Sequence, residues 1–444
     1  MEPLRGEESA VGGHVVTRGC RIDSGSVRSV LDTDDRPRFA WATATESFAA
    51  AGSAATITAE GPDRFADVRS AACDLFDRCE TPPGLPSVAR PRLVGGFAFH
   101  DGDHDGAVTP WEGFPGGAFF LPEVQLTVRD GDRWLTTAAT GADAAERADD
   151  LLSTWRQRLE TDRPKIGSAN PGVAARERDP SQTAWRRQIR AALESVDDGK
   201  LKKVVLAQAL RVELQSDLSV PDVLSRLAAN YPDCYRFMFS PSGDATFFGA
   251  TPERLVSLRG RTVRTEALAG STGRGDTPAE DEWLASELLD SEKDIHEHEL
   301  VADAVRDQLE PYASSVRIGE RTVRRLATVQ HLRTSITAEL AGGEHILSLV
   351  DALHPTPAVG GLPPDAALET IRETEAFDRG WYAAPIGWVD SAGNGTFAVG
   401  IRSAVATQRT ATLFAGAGIV SDSDPDREWD EVQLKYRPML DELE

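Results

Sequence analysis

Apolar positions follow two rhythms along this chain. Short apolar runs bounded by Gly, Pro or Asp predict strands. Leu93-Val-Gly-Gly-Phe-Ala-Phe99 predicts a strand broken at Gly95 and Gly96, where a bulge or a close backbone approach is expected. Residues 118–128 predict a second strand region, and Lys203 to Leu214 a long strand. Tyr235–Ser240 and Ala245–Gly249 read as a strand pair, with Gly249-Ala-Thr-Pro-Glu-Arg-Leu255 as the turn into the next apolar run. The runs ending at Gly270 and at Gly416 and Gly418 each close on a glycine turn. Helical spacing covers Phe65–Cys79, Ala142–Thr161, the amphipathic Ser181–Val196 and Pro221–Ala229. Thr277-Pro-Ala-Glu280 is a capping box with proline at the first helical position, and it predicts one long helix to about Leu309. Asp424 followed by Pro425 opens the last helix in the same way. Strands in adjacent pairs between helices predict an α+β fold of large antiparallel sheets flanked by helices, not a doubly wound parallel sheet. Residues 163–180 hold three prolines and two glycines without periodicity. They suggest a linker or loop at 166–180, between an α+β portion at 1–165 that joins the same fold and a functional region at 181–444.

Composition narrows the class. With 444 residues, 40% hydrophobic and 27% charged, the chain is globular. The net charge of −23 argues against nucleic acid and anionic membrane as partners. No apolar run reaches the ~18 residues of a membrane span. The N-terminus lacks a cationic-then-apolar signal pattern, so a cytoplasmic location is expected. Almost every cation is arginine; the lysines are Lys165, Lys200, Lys202, Lys203, Lys293 and Lys435. Acidity with scarce lysine suggests a halophilic protein, because salt screening makes a dense negative surface tolerable. It also makes each remaining lysine informative. Cys20, Cys73, Cys79 and Cys234 form no spaced framework, and reduced thiols are expected.

Two acidic clusters stand out. Glu428, Glu431 and Lys435 fall within about 60° of one another on the last helix. Two carboxylates and an ammonium on one face suit a divalent cation with an anionic ligand, or a solvated i,i+4 ion pair. Asp294 and Glu297 likewise share a face, preceded by Lys293. His296 and His298 point about 200° apart and do not fit the His-Glu-x-x-His pattern, which excludes a zinc site there. The acidic stretch Asp101–Asp105 lacks the twelve-residue calcium pattern and reads as a surface turn.

Several distant motifs then agree in order. They are Lys203-Val-Val-Leu-Ala, Gly249-Ala-Thr-Pro-Glu253, Ala267-Leu-Ala-Gly-Ser271, Lys293-Asp-Ile-His-Glu-His298 and Val329-Gln-His-Leu332. Leu353-His-Pro-Thr-Pro-Ala358, Arg379-Gly-Trp-Tyr382, Gly400-Ile-Arg402 and Gly416-Ala-Gly418 through Lys435 follow. From about residue 180 onward the chain resembles the chorismate-utilising enzymes; before that, Gly95-Gly96-Phe97 is the best match. The resemblance implies two related halves of sheet and helices with the active site between them. It implies Mg2+ held by Glu297 and Glu431, supported by Asp294 and Glu428. Lys435, Arg402, Tyr382 and the backbone around Gly270, Ser271 and Gly418 would bind substrate carboxylates, and His331 would lie near the ring, unless it is a core histidine. The ammonia-using members carry glutamine where this chain has Lys203, so lysine implies water as the nucleophile, with Lys203 as general base and Glu253 as general acid. Ala358 stands where pyruvate-eliminating members carry threonine. The implied activity is isochorismate synthase, most like the menaquinone type, with siderophore biosynthesis as the other outlet of the same product. Salicylate synthase and a non-catalytic chorismate-binding paralogue are the alternatives. No glutaminase subunit is expected, and a monomer or weak homo-oligomer is.

Overall fold

The computed structural model describes residues 13–101, 109–161, 167, 169–327 and 329–444. Two sheets organise them. The larger has 13 strands. It runs from Val173–Asp179 at one edge through Lys203–Leu214, Thr410–Ile419, Ser403–Ala406, Thr246–Thr251 and Tyr235–Ser240. It continues into Arg38–Ala42, Glu46–Ala51, Val124–Arg129, Asp132–Thr140, Val15–Ile22 and Cys79–Glu80, while Gly361–Leu362 pairs with the Lys203 strand off this path. The nine-stranded sheet runs Ala313–Arg325, Val329–Leu340, Thr262–Gly273, Arg254–Arg259, Gly395–Val399, Pro385–Asp390, Arg92–Phe97, Gly117–Leu121 and Ala55–Ala59. Among these pairings only Val15–Ile22 with Cys79–Glu80 is parallel. Aromatic contacts join the sheets: Phe48 meets Trp388 at 6.5 Å between ring centroids, and Phe120 meets Phe239 at 6.2 Å. The α+β architecture of large antiparallel sheets flanked by helices is therefore present, and the N-terminal strands belong to both sheets, ending one at Cys79–Glu80 and the other at Ala55–Ala59.

The chain changes sheets at short connections that cannot continue a ladder. Pro122 and Glu123 separate Gly117–Leu121 from Val124–Arg129, so residues 118–128 are two strands in different sheets, not one region. Proline offers no N–H to a ladder, which ends pairing at that point. Pro252 and Glu253 carry the chain from Thr246–Thr251 to Arg254–Arg259, and Gly400 to Arg402 carry it from Gly395–Val399 to Ser403–Ala406. Glu253 and Arg402 thus both sit where the chain passes from one sheet to the other.

Other expectations are corrected by local physics. Arg92–Phe97 is unbroken. A Cβ on Gly95 would come within 1.9 Å of the Ala118 carbonyl oxygen, so this glycine serves close approach and not interruption. Thr262–Gly273 likewise runs through Gly270, which makes a bulge with φ of 77° between Ala269 and Ser271. The long helix after Thr277 is two, Pro278–Asp290 and Glu292–Leu309. Ser291 is extended between them, and its hydroxyl caps the second by accepting the Asp294 N–H. Val173–Asp179, inside the stretch read as a loop, is an edge strand paired with Lys203–Leu214. Its side chains are mostly exposed, which is why no apolar alternation marks it. Of the acidic stretch 101–105 only Asp101 is described, paired with Arg372 at 2.6 Å; the rest lies outside the described residues. All four cysteines are free.

Candidate active site

A cavity of about 400 Å3 is lined by both sheets and by the two acidic helices. Lys203 opens its strand in the larger sheet, and Gly416 and Gly418 lie on the neighbouring Thr410–Ile419 strand. From the smaller sheet come Gly270, Ser271 and His331. Glu253 and Arg402 enter from the sheet crossings, with Tyr382 and Ala358 from connecting segments. Asp294 and Glu297 reach in from Glu292–Leu309; Glu428, Glu431 and Lys435 reach in from Pro425–Leu440. Every residue singled out from the sequence therefore faces one cavity. Sequence reading missed Arg427, which lines it. Lys293 had been noted only as part of a motif; it also lines the cavity and stands 3.8 Å from Glu428. The scarcity of lysine was the available signal: three of the six line this cavity.

Lys203 is 1% exposed, and its Nζ donates to Glu297 Oε1 at 2.8 Å. Burial alone would push the Glu297 carboxyl up, but Lys203 outweighs it and holds the group below the usual carboxylate range. Glu253 is the opposite case. Buried at 5% exposure, and facing Glu266 behind it, its carboxyl is pushed up to about 8, against the pull of Lys203 and Lys435. Burial holds the His331 imidazole far below its usual value, and its Nδ1 lies 2.7 Å from the Ser271 hydroxyl. Burial also lifts the Tyr382 phenol above its ordinary range. Lys435 contacts Glu431 at 2.6 Å, the i,i+4 pair that the helix face predicted, and donates to the Gly416 carbonyl at 2.8 Å.

The cavity wall carries the cations Lys203, Lys293, Lys435, Arg402 and Arg427 against five carboxyl groups, of which Glu253 is held in its neutral form near pH 7. The local balance is positive within a chain of net charge −23, which suits an anionic ligand. Among the described residues, no three His, Cys, Asp or Glu side chains converge as a ready metal cage. The acidic helices still suit a hard cation. Burial and then Glu431 push the Glu428 carboxyl up to about 7, and burial together with Glu297 raises Asp294. Glu297, Glu431 and Glu428 each lie within 4.0 Å of a lysine, so a cation would take over oxygens that the lysines now hold. Mg2+ asks for only one or two of them, since it keeps several waters.

Gly418 explains the glycine signature in the Thr410–Ile419 strand. A Cβ there would lie 2.9 Å from both Glu297 Oε1 and Lys203 Cε. A side chain would displace the ion pair that closes this end of the cavity.

Comparison with known proteins agrees with this geometry. A salicylate biosynthesis isochorismate synthase of Pseudomonas aeruginosa is 38% identical over 428 residues, spanning 95% of this chain and 88% of that protein. Isochorismate synthase MenF of Bacillus subtilis is 36% identical over 360 residues, spanning 80% and 75%. The solved structure of MenF, the menaquinone-specific isochorismate synthase from Escherichia coli, has a TM-score of 0.82 at 24% identity, covering 97% of this chain and 95% of that one. At that identity the likeness speaks for the fold. The profile of the chorismate binding enzymes matches residues 9–444, and the chain belongs to that family.

Proposed function

We propose that this protein is an isochorismate synthase, adding water at C2 of chorismate as the C4 hydroxyl departs. The observation that carries the reading is the pairing, in one cavity, of a buried lysine with a carboxylic acid that keeps its proton near neutral pH. Both relatives named above bear the same activity in their names. Lys203 takes a proton from the attacking water. To do so its ammonium must first release Glu297 and lose its own proton to solvent; after turnover the proton Lys203 has gained leaves to solvent and Glu253 takes one up, which restores both groups. Glu253 delivers a proton to the departing hydroxyl. One water is taken up and one released, so the formula is unchanged. Arg402 and Lys435 hold the substrate carboxylates, Arg402 being able to do so bidentately. Glu297 and Glu431, with Asp294 and Glu428 beside them, would hold Mg2+, which when bound supplies positive charge to a substrate carboxylate. Ala358 in the cavity wall supports a reaction that stops at isochorismate.

The test is purified protein with chorismate and Mg2+, in low and molar salt, with products separated by chromatography. Isochorismate without ammonium dependence is expected. Salicylate with pyruvate would replace this reading by the lyase one, and chorismate binding without turnover would leave a non-catalytic paralogue. Supply to menaquinone is the proposed outlet, on the likeness of Thr265–Gly270 to the menaquinone type. Restored menaquinone in a strain lacking its own synthase checks it.

Gly418→Ala is expected to fold normally and to lose about tenfold or more in kcat/KM, because displacing a positioned catalytic group by ~1 Å can cost about 100-fold. Steady-state rates beside a melting curve decide this. Wild-type kinetics would mean that turnover does not depend on the present positions of Lys203 and Glu297.

A further inference from the structure

Behind Glu253, outside the cavity, lies a second charged cluster that the reaction scheme does not use. Glu266 stands on the Thr262–Gly273 strand with its side chain 2% exposed. Three arginines converge on it. Arg333 Nε lies 2.5 Å from its Oε2, Arg324 Nη1 3.4 Å from its Oε1, and Arg254 Nη2 4.0 Å from its Oε2. The same groups grip the segment that carries Glu253 on both sides. The Arg254 backbone N–H donates to Glu266 Oε1 at 3.4 Å, and Arg324 Nη1 donates to the Pro252 carbonyl at 2.7 Å. Arg324 Nη2 is anchored in turn on the Asp233 carbonyl at 3.0 Å. The peptide of Glu253 itself is fixed by Thr251 Oγ1 at 3.2 Å and by the Val399 N–H at 3.0 Å. A sheet interior does not need a buried carboxylate, which costs several kcal/mol to desolvate and which a leucine would replace in packing terms.

We propose that Glu266 is a positioning residue for the reaction: with Arg324 it fixes the segment bearing Glu253 and sets a buried negative charge behind that segment. The inference rests on the acid role of Glu253 proposed above. Other charges act on the same carboxyl. Lys203 and Lys435 face it across the cavity and oppose Glu266, each backed by its own carboxylate partner, Glu297 and Glu431. Arg402 lies farther along the wall; His331 is neutral and Tyr382 keeps its proton. Thr356 nearby also pulls the carboxyl down. On the outer side Glu266 is negative and Asp233 lines the same outer pocket, both set against Arg254, Arg324 and Arg333.

The test is the pH dependence of kcat with chorismate for the wild type, Glu266→Gln, Glu266→Asp and Arg333→Gln, beside Glu253→Gln. Removing the negative charge should move the alkaline limb of Glu266→Gln to lower pH by about one unit, with KM little changed. Glu266→Asp should restore the limb. Removing a positive charge in Arg333→Gln should move it the other way, and this variant carries the test if Glu266→Gln does not fold. Alkaline limbs that stay at the wild-type pH in Glu266→Gln and Arg333→Gln, while Glu253→Gln is inactive, overturn the inference and leave the acid role standing. Turnover by Glu253→Gln at the wild-type rate overturns both.

Discussion

Glu253→Gln is expected to lose about 10²–10⁴-fold in chorismate turnover while binding chorismate within a few-fold of the wild type. Glutamine has the shape of the protonated acid but no proton to give. The same substitution should stabilise the fold at alkaline pH. The carboxyl is raised to about 8, first by burial and then by Glu266, so folding favours its protonated form. That contribution is present in full below the ordinary carboxylate value and is lost as pH rises toward about 8. The loss is about 1.4 kcal/mol per unit in this window. The neutral amide has no such dependence. Wild-type kcat/KM should therefore fall as pH climbs through about 8, and the melting temperature of Glu253→Gln should exceed that of the wild type above that pH. Titration calorimetry with chorismate, steady-state rates and melting curves at several pH values measure all three. If Glu253→Gln loses binding and keeps kcat, the residue is a substrate clamp and the acid assignment fails.

Arg379→Met is expected to cost about 3–5 kcal/mol of stability, since it strands a buried carboxylate. Arg379 is 1% exposed, with Nε 2.8 Å from Glu375 Oε2 and Nη2 2.5 Å from Glu375 Oε1. Its Nη1 donates to the Val359 carbonyl at 2.9 Å and its Nη2 to the Val205 carbonyl at 2.8 Å. Glu375 Oε1 also accepts the Ala207 N–H at 2.7 Å. The pair therefore ties the Lys203 strand to the Ala358–Val359 wall, and its loss should weaken turnover as well. Replacing both partners, as in Arg379→Met with Glu375→Leu, removes the stranded charge and should recover part of the stability. Denaturant midpoints for the two single variants and the double variant decide the matter. A single-variant loss below about 1 kcal/mol would mean that water reaches Glu375 and the pair is not a buried tie.

What the sequence disclosed depended on whether the signal was local. Asp424 with Pro425 marked a helix start because capping acts over one turn, and its side chain accepts the Asp426 and Arg427 N–H groups as expected. Lys203–Leu214 was legible because its apolar run is buried on both faces. Val173–Asp179 was not, because an edge strand exposes its polar side chains and owes its form to a partner 30 or more residues on, as in Asp179 opposite Ala209. The break at Ser291 was hidden because one extended residue leaves the composition of a helix unchanged. For the site, ordered motifs brought together residues far apart in sequence, and all of them face one cavity. Glu266 stood beside one of those motifs, but only its three arginines, drawn from three other strands, give it a meaning.

The pairing of Lys203–Leu214 with Thr410–Ile419 carries a consequence for biosynthesis. Some 200 residues separate the two strands, and Pro425–Leu440, which supplies four of the cavity's charged groups, leaves the ribosome later still. Until then the Lys203 strand presents an open edge to other nascent chains, the state in which sheets recruit wrong partners. Pairings this distant in sequence also close slowly. Ribosome-bound intermediates of this chain should accordingly lean on chaperones that shield strand edges, and a truncation just short of residue 410 should aggregate instead of persisting as a smaller folded unit.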